Sequence, residues 1–76
     1  MNKDRRNRLS EIREQLSTLA EAIQEICAEE QAAFDNLPES FQGGERGDAM
    51  QTAIDSMEAA ASGVEDAISE LQNVED

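Results

Sequence analysis

The segment Asp35-Asn36-Leu37-Pro38-Glu39-Ser40-Phe41-Gln42-Gly43-Gly44-Glu45 decides the fold, because it interrupts a chain that is otherwise patterned for helix from end to end. Proline lacks an amide hydrogen and disfavours helical geometry in the residue before it, so Asn36 and the Leu37-Pro38 step end a helix. Beyond the glycine pair, Glu45 and Asp48 stand where carboxylates favour the positive end of a new helix dipole, with Gly44 as its cap. This predicts one domain over 1–76: a first helix over about 4–35, a loop over 36–44 and a second helix over about 45–74.

Outward from the loop, apolar residues keep helical spacing on both sides. Upstream, Leu9, Ile12, Leu16, Leu19, Ile23, Ile26 and Ala33 alternate three- and four-residue steps, with a break at Glu30, the pattern of a coiled-coil seam. Downstream, Met50, Ile54, Met57, Ala61, Val64, Ile68 and Leu71 repeat it, flanked by Ala49, Ala53, Ala60, Ala67 and Val74. That second stripe is wide enough to touch two helices. Gly63, at a mid-helix cost of about 1 kcal/mol relative to alanine, is expected at a close backbone contact or a slight bend.

A short connection between long helices implies an all-α, coiled-coil-like antiparallel two-helix hairpin. Full burial of a large aliphatic side chain contributes about 1.5–3 kcal/mol, whereas ordering each residue costs roughly 1.5 kcal/mol. A lone hairpin is therefore marginal, and the expected remedy is a homodimer forming a four-helix bundle, with the exposed sides of Leu16, Ile23, Met57 and Val64 at the oligomer interface. Other staples are missing from the composition. One cysteine, Cys27, permits no internal disulfide, and without histidine no ordinary zinc site forms. Cys27 itself reads as a small buried hydrophobe at the edge of the seam.

Charge is sorted along the chain. Residues 1–13 hold Lys3, Arg5, Arg6, Arg8 and Arg13 against Asp4 and Glu11, a balance of +3, which leaves −15 for the remainder of a net −12. Such a surface repels phosphate backbones, which disfavours nucleic acid as a partner and favours basic ones. In a hairpin the basic start is expected beside the acidic end, where Glu65, Asp66, Glu70, Glu75 and Asp76 gather. No apolar run reaches the roughly 18 residues of a membrane span, and no hydrophobic stretch follows Met1 to Arg6 as in a signal peptide. A cytoplasmic location is the expectation.

Catalysis finds little to work with: there is no histidine, tyrosine or tryptophan, and two helices enclose no deep pocket. The chain reads as a non-enzyme with no catalytic residue, cofactor or metal. Glu11 with Glu14, and Glu45 with Asp48, are spaced like the magnesium-binding pairs of all-α nucleotide pyrophosphohydrolases, but the pairs lie tens of ångströms apart along such helices. They read as solvated carboxylates. Arg46-Gly47-Asp48 spells an adhesion tripeptide, yet at a helix start rather than an extended loop tip.

Partner binding offers more candidates. Phe34, Leu37 and Phe41 surround Pro38 with the only two aromatics of the chain, either as a plug under the loop or as an anchor for a partner. Arg46, the only basic residue after Arg13, reads first as a pin to Asp35 or Glu39. A second reading places a small anionic ligand at Gly44, Arg46 and Gly47, on free amides of a helix N-terminus. Asp55, Glu58, Glu65 and Asp66 give the second helix an acidic face able to mimic a phosphate backbone.

The run Glu29-Glu30-Gln31-Ala32-Ala33-Phe34-Asp35-Asn36-Leu37-Pro38-Glu39-Ser40-Phe41-Gln42, followed by Glu45-Arg46-Gly47 and Ala53-Ile54-Asp55, resembles a group of small acidic helical-hairpin proteins of bacteriophages, prophages and other mobile elements. The resemblance covers about 27–58 closely and the rest only as coiled-coil character. Where that group has serine before its Glu-Arg-Gly, this chain has Gly44. The resemblance implies an origin more than an activity. Together with the charge, it leads to the expectation of an accessory protein that binds a host macromolecule, as an acidic inhibitor of a host defence or regulatory factor. The alternatives are a structural hairpin docking on a phage component, and a sponge for a small anionic ligand held between subunits.

Overall fold

Asn2 opens the first helix: its side-chain oxygen accepts the Arg5 amide at 2.9 Å, satisfying one of the donors a helix start leaves free. The computed structural model describes residues 1–75 and is all-α, with no strand among the described residues. Its elements are α1 (Lys3–Asp35), a short α2 (Glu39–Gln42) and α3 (Glu45–Glu75). Asp76, counted above with the acidic end, lies outside the described residues.

The predicted loop thus contains a helical turn. The Pro38 carbonyl, left free by the end of α1, accepts the Phe41 and Gln42 amides at 2.9 and 3.1 Å and so starts α2. Gln42 then reaches back, its Nε2 donating to the carbonyls of Phe34 at 3.1 Å and Leu37 at 3.2 Å. The Leu37 carbonyl would otherwise lack a partner, whereas the Phe34 carbonyl also accepts the Leu37 amide at 3.0 Å. Gly47 explains how α2 sits on α3: it is buried, and a Cβ there would collide with the Gln42 carbonyl and lie 2.7 Å from the Phe41 oxygen.

From this corner α3 runs back along α1. Cys27 Sγ lies 3.8 Å from the Ile54 carbonyl, Gln24 Nε2 is 2.7 Å from Glu65 Oε1, and Arg13 Nε is 2.9 Å from Glu75 Oε2. Partner numbers fall on α1 as they rise on α3. The result is a rod of 58 × 14 × 13 Å with a radius of gyration of 17.2 Å, where a compact chain of this length has about 11 Å.

The seam differs from the sequence expectation on α1. The inward-facing positions there are Leu9, Arg13, Leu16, Ala20, Ile23, Cys27, Glu30 and Phe34, all covered or half-covered, with half-covered Ser10, Ser17 and Gln31 beside them. On α3 they are Gly47, Met50, Ile54, Met57, Ala61, Val64, Ile68, Leu71 and Glu75, with half-covered Ala53 beside them. Both sets alternate three- and four-residue steps, the knobs-into-holes repeat. Ile12, Leu19, Ile26 and Ala33, expected in the seam, each sit one residue too early and stay exposed: Leu19 and Ile26 by 56% each, Ile12 by 46%. Small or polar Arg13, Ala20 and Cys27 take the inner positions instead. Among the described hydrophobic residues, only Ala20, Ile54 and Ala61 are buried, and Ile54 alone fully, at 1% exposed.

Of two further expectations, one loses its first alternative and the other is met only at its edge. A Cβ at Gly63 would meet nothing within 4 Å, so this glycine marks no close contact within the chain. Among the described residues, only Arg13 of the basic start of α1 meets the acidic end of α3, through Glu75. Because Arg13 already meets Glu75, residues 3–12 continue as helix for about 15 Å past it, and Lys3, Arg5, Arg6 and Arg8 are exposed there. Among the described residues, the only ion pair on that overhang is Arg8 with Asp4, 3.8 Å apart and solvated.

Candidate functional site

The helix pair has two unlike edges. Four residues after each inner seam position come Ser17, Gln24 and Gln31 on α1 and Gln51, Glu58, Glu65 and Gln72 on α3; one residue before come Ile12, Leu19, Ile26 and Ala33 on α1 and Ala53, Ala60, Ala67 and Val74 on α3. Opposed helix directions bring like rows to the same side of the seam. The Gln24–Glu65 hydrogen bond joins the two members of the first row, so the second row of both helices shares the other side. One edge is polar and the other apolar.

The acidic candidates Asp55, Glu58, Glu65 and Asp66 are all exposed, and all lie on the polar side of α3 or its outer surface. Gln51 donates to Asp55 at 3.0 Å. A shallow cleft of about 310 Å³ opens on this side between Gln24, Cys27, Ala28, Gln31, Met57, Glu58 and Ala61. It holds a thiol and a carboxylate but no base positioned against a nucleophile. Glu11 and Glu14 lie toward the end of the rod opposite Glu45 and Asp48, and all four are exposed.

Leu16, Ile23, Met57 and Val64 are half-buried seam residues, next to the apolar row rather than forming it. Sequence reasoning missed that row as a separate feature, since large side chains one residue before the seam look like the seam itself. A signal was present: Ile12, Leu19 and Ile26 repeat every seven residues, as do Ala53, Ala60, Ala67 and Val74. Both rows begin with arginine, Arg5 on α1 and Arg46 on α3, and neither contains a carboxylate.

At the loop, Phe34 and Leu37 are half-buried, whereas Pro38 is exposed and Phe41 is 51% exposed. The plug is therefore made by Phe34, Leu37 and the Gln42 side chain, with Phe41 outside it. Arg46 is exposed and makes no ion pair among the described residues, so it does not pin the loop to Asp35 or Glu39. Gly44 is half-buried and Gly47 lies under the Gln42 carbonyl, which closes part of the amide cradle expected for an anion. At the far end a second hollow of about 240 Å³ is lined by Met1, Arg5, Arg8, Leu9 and Ile12.

Arg13 and Glu75 form the one ion pair between the helices among the described residues, their side chains 26% and 15% exposed. Glu75 Oε1 is buried and has no hydrogen-bond partner. No helix is long and apolar enough to cross a membrane, and no group of residues suited to hold a metal ion occurs among the described residues. No protein-family model matches the chain, and neither does any curated protein or solved structure.

Proposed function

We propose that the chain is an antiparallel helical hairpin that acts by binding rather than by catalysis, as a homodimeric four-helix bundle in the cytoplasm of a host cell. Its role is that of a phage or mobile-element accessory protein whose acidic surface engages a host macromolecule, blocking a defence or regulatory factor. One observation carries this reading: the rod separates its surfaces, with Asp55, Glu58, Glu65 and Asp66 exposed on one side and an apolar row free of carboxylates on the other. An acidic face held on a rigid helix presents fixed negative charge to a basic groove.

The test is capture from host lysate on immobilised protein, followed by affinity measurement for the captured factor. Binding through the acidic face falls steeply between about 50 and 200 mM salt, and the quadruple variant D55N/E58Q/E65Q/D66N abolishes it. A salt-independent affinity, unchanged in that variant, refutes the acidic face.

A second reading, a structural hairpin docking on a phage component, is favoured by the half-exposed Phe41 and the exposed Pro38 at the loop. Phe41→Ala would then remove binding while the acidic substitutions leave it intact. The third, a small anionic ligand at Gly44, Arg46 and Gly47, draws on the free Arg46 side chain but has the covered Gly47 against it. Unperturbed Gly44 and Gly47 amide resonances on titration with nucleotides would dispose of it.

A further inference from the structure

We propose that the apolar edge is covered by a second copy of this chain, related by a two-fold axis parallel to the helices. α1 of each copy then lies on α3 of the other. This rests on the homodimer reading above and adds to it the face and the orientation.

Surface area is the first argument. The chain exposes 5460 Å², whereas a compact monomer of 8.3 kDa exposes about 4,600 Å². The excess is close to the roughly 800 Å² per partner that a stable interface covers.

Shape selects the axis. The apolar edge has a large row on α1, Ile12, Leu19 and Ile26, beside a small row on α3, Ala53, Ala60 and Ala67. Contacts within the chain put Leu19 at about the height of Ala67, and Ile26 at that of Ala60. An axis along the helices keeps every height, so Leu19 meets the partner's Ala67 with no sliding. Exposed Gly63, one turn from Ala60 and Ala67, gives Ile26 further room. An axis across the rod would stack large on large and small on small, forcing unequal helix separations on the two sides.

Charge agrees. Copies at −12 repel each other wherever carboxylates face, and the apolar row has none. Arg46 then projects past the carbonyl end of the partner's α1, and Arg5 past the carbonyl end of the partner's α3, each beside the negative end of a helix dipole.

The experiment uses the full chain. Sedimentation equilibrium is expected to give twice the 8.3 kDa mass. Leu19→Glu, at an exposed position that leaves the helical circular dichroism intact, raises the dimer dissociation constant about a hundredfold, because a two-fold interface loses the side chain twice. In a Cys27→Ser background, a mixture of L19C and A67C chains forms an intermolecular disulfide on mild oxidation, while either chain alone does not. A folded monomer at micromolar concentration overturns both this proposal and the homodimer reading. An L19C chain that links to itself overturns the axis and leaves the homodimer standing. A dimer in which no pair links, and which Leu19→Glu does not weaken, overturns the face.

Discussion

Alanine at Gly47 and alanine at Gly43, four residues apart, are expected to change stability in opposite directions. At Gly47 the added methyl group meets the Gln42 carbonyl carbon at 2.5 Å and the Phe41 oxygen at 2.7 Å. Both belong to backbone, which cannot swing aside as a side chain can. Alanine gains up to about 1 kcal/mol of helix propensity. Against this, forcing α2 off α3 costs about 1–3 kcal/mol as overpacking. Loss of the two Gln42 bonds to the end of α1 adds about 0.5–1.5 kcal/mol each. The net loss is about 3 kcal/mol, a fall in thermal midpoint on the order of 15 °C for a chain this size. At Gly43 nothing lies within 4 Å and φ is −88°. There alanine only restricts the unfolded chain, a gain of about 0.4–1 kcal/mol. Thermal and urea unfolding followed by circular dichroism at fixed protein concentration measures both. A Gly47→Ala protein as stable as the parent would refute the seating of α2 on α3.

Three other perturbations follow from the same contacts. Ile54→Ala, at the most buried large side chain, should cost about 2–5 kcal/mol in urea denaturation. Arg13→Ala strands Glu75, whose Oε1 already has no partner; for a half-buried pair the loss is about 1–3 kcal/mol, between surface and buried limits. Replacing both by Met and Leu should restore most of it. Gln42→Leu keeps the volume but unpairs the Leu37 carbonyl and leaves the Phe34 carbonyl with backbone donors only, at about 1–2 kcal/mol, with faster amide exchange at Asn36 and Leu37 as a local readout.

The helices and their interruption were legible in the sequence because proline chemistry and heptad spacing are local. Pro38 stops α1, and the apolar repeat carries both rods. The inner seam was not legible on α1. Hydrophobic size points to Ile12, Leu19 and Ile26, while the contact with α3 selects Ala20 and Cys27, whose small side chains let the backbones approach. Register was lost for another reason. Charge alone pairs the whole basic start with the acidic end, but α2 and its seat on Gly47 set the height at which α3 begins, so that only Arg13 reaches Glu75 and the rest of the basic start overhangs. Gln42 was invisible as a cap, since its partners Phe34 and Leu37 become neighbours only after the chain turns.

That turn also gives the molecule an assembly order. Cross-connections link residues 8 apart at Gln42–Phe34, 27 apart at Cys27–Ile54, 41 apart at Gln24–Glu65 and 62 apart at Arg13–Glu75. Closing the widest of these from a disordered chain costs about 1.8 kcal/mol more than closing the narrowest. Once the corner has formed, each later link needs only a short extension of the one before. The rod therefore closes like a zip from its corner, and a force applied at the two termini should peel it open in the reverse sequence, parting Arg13 from Glu75 first and the corner last.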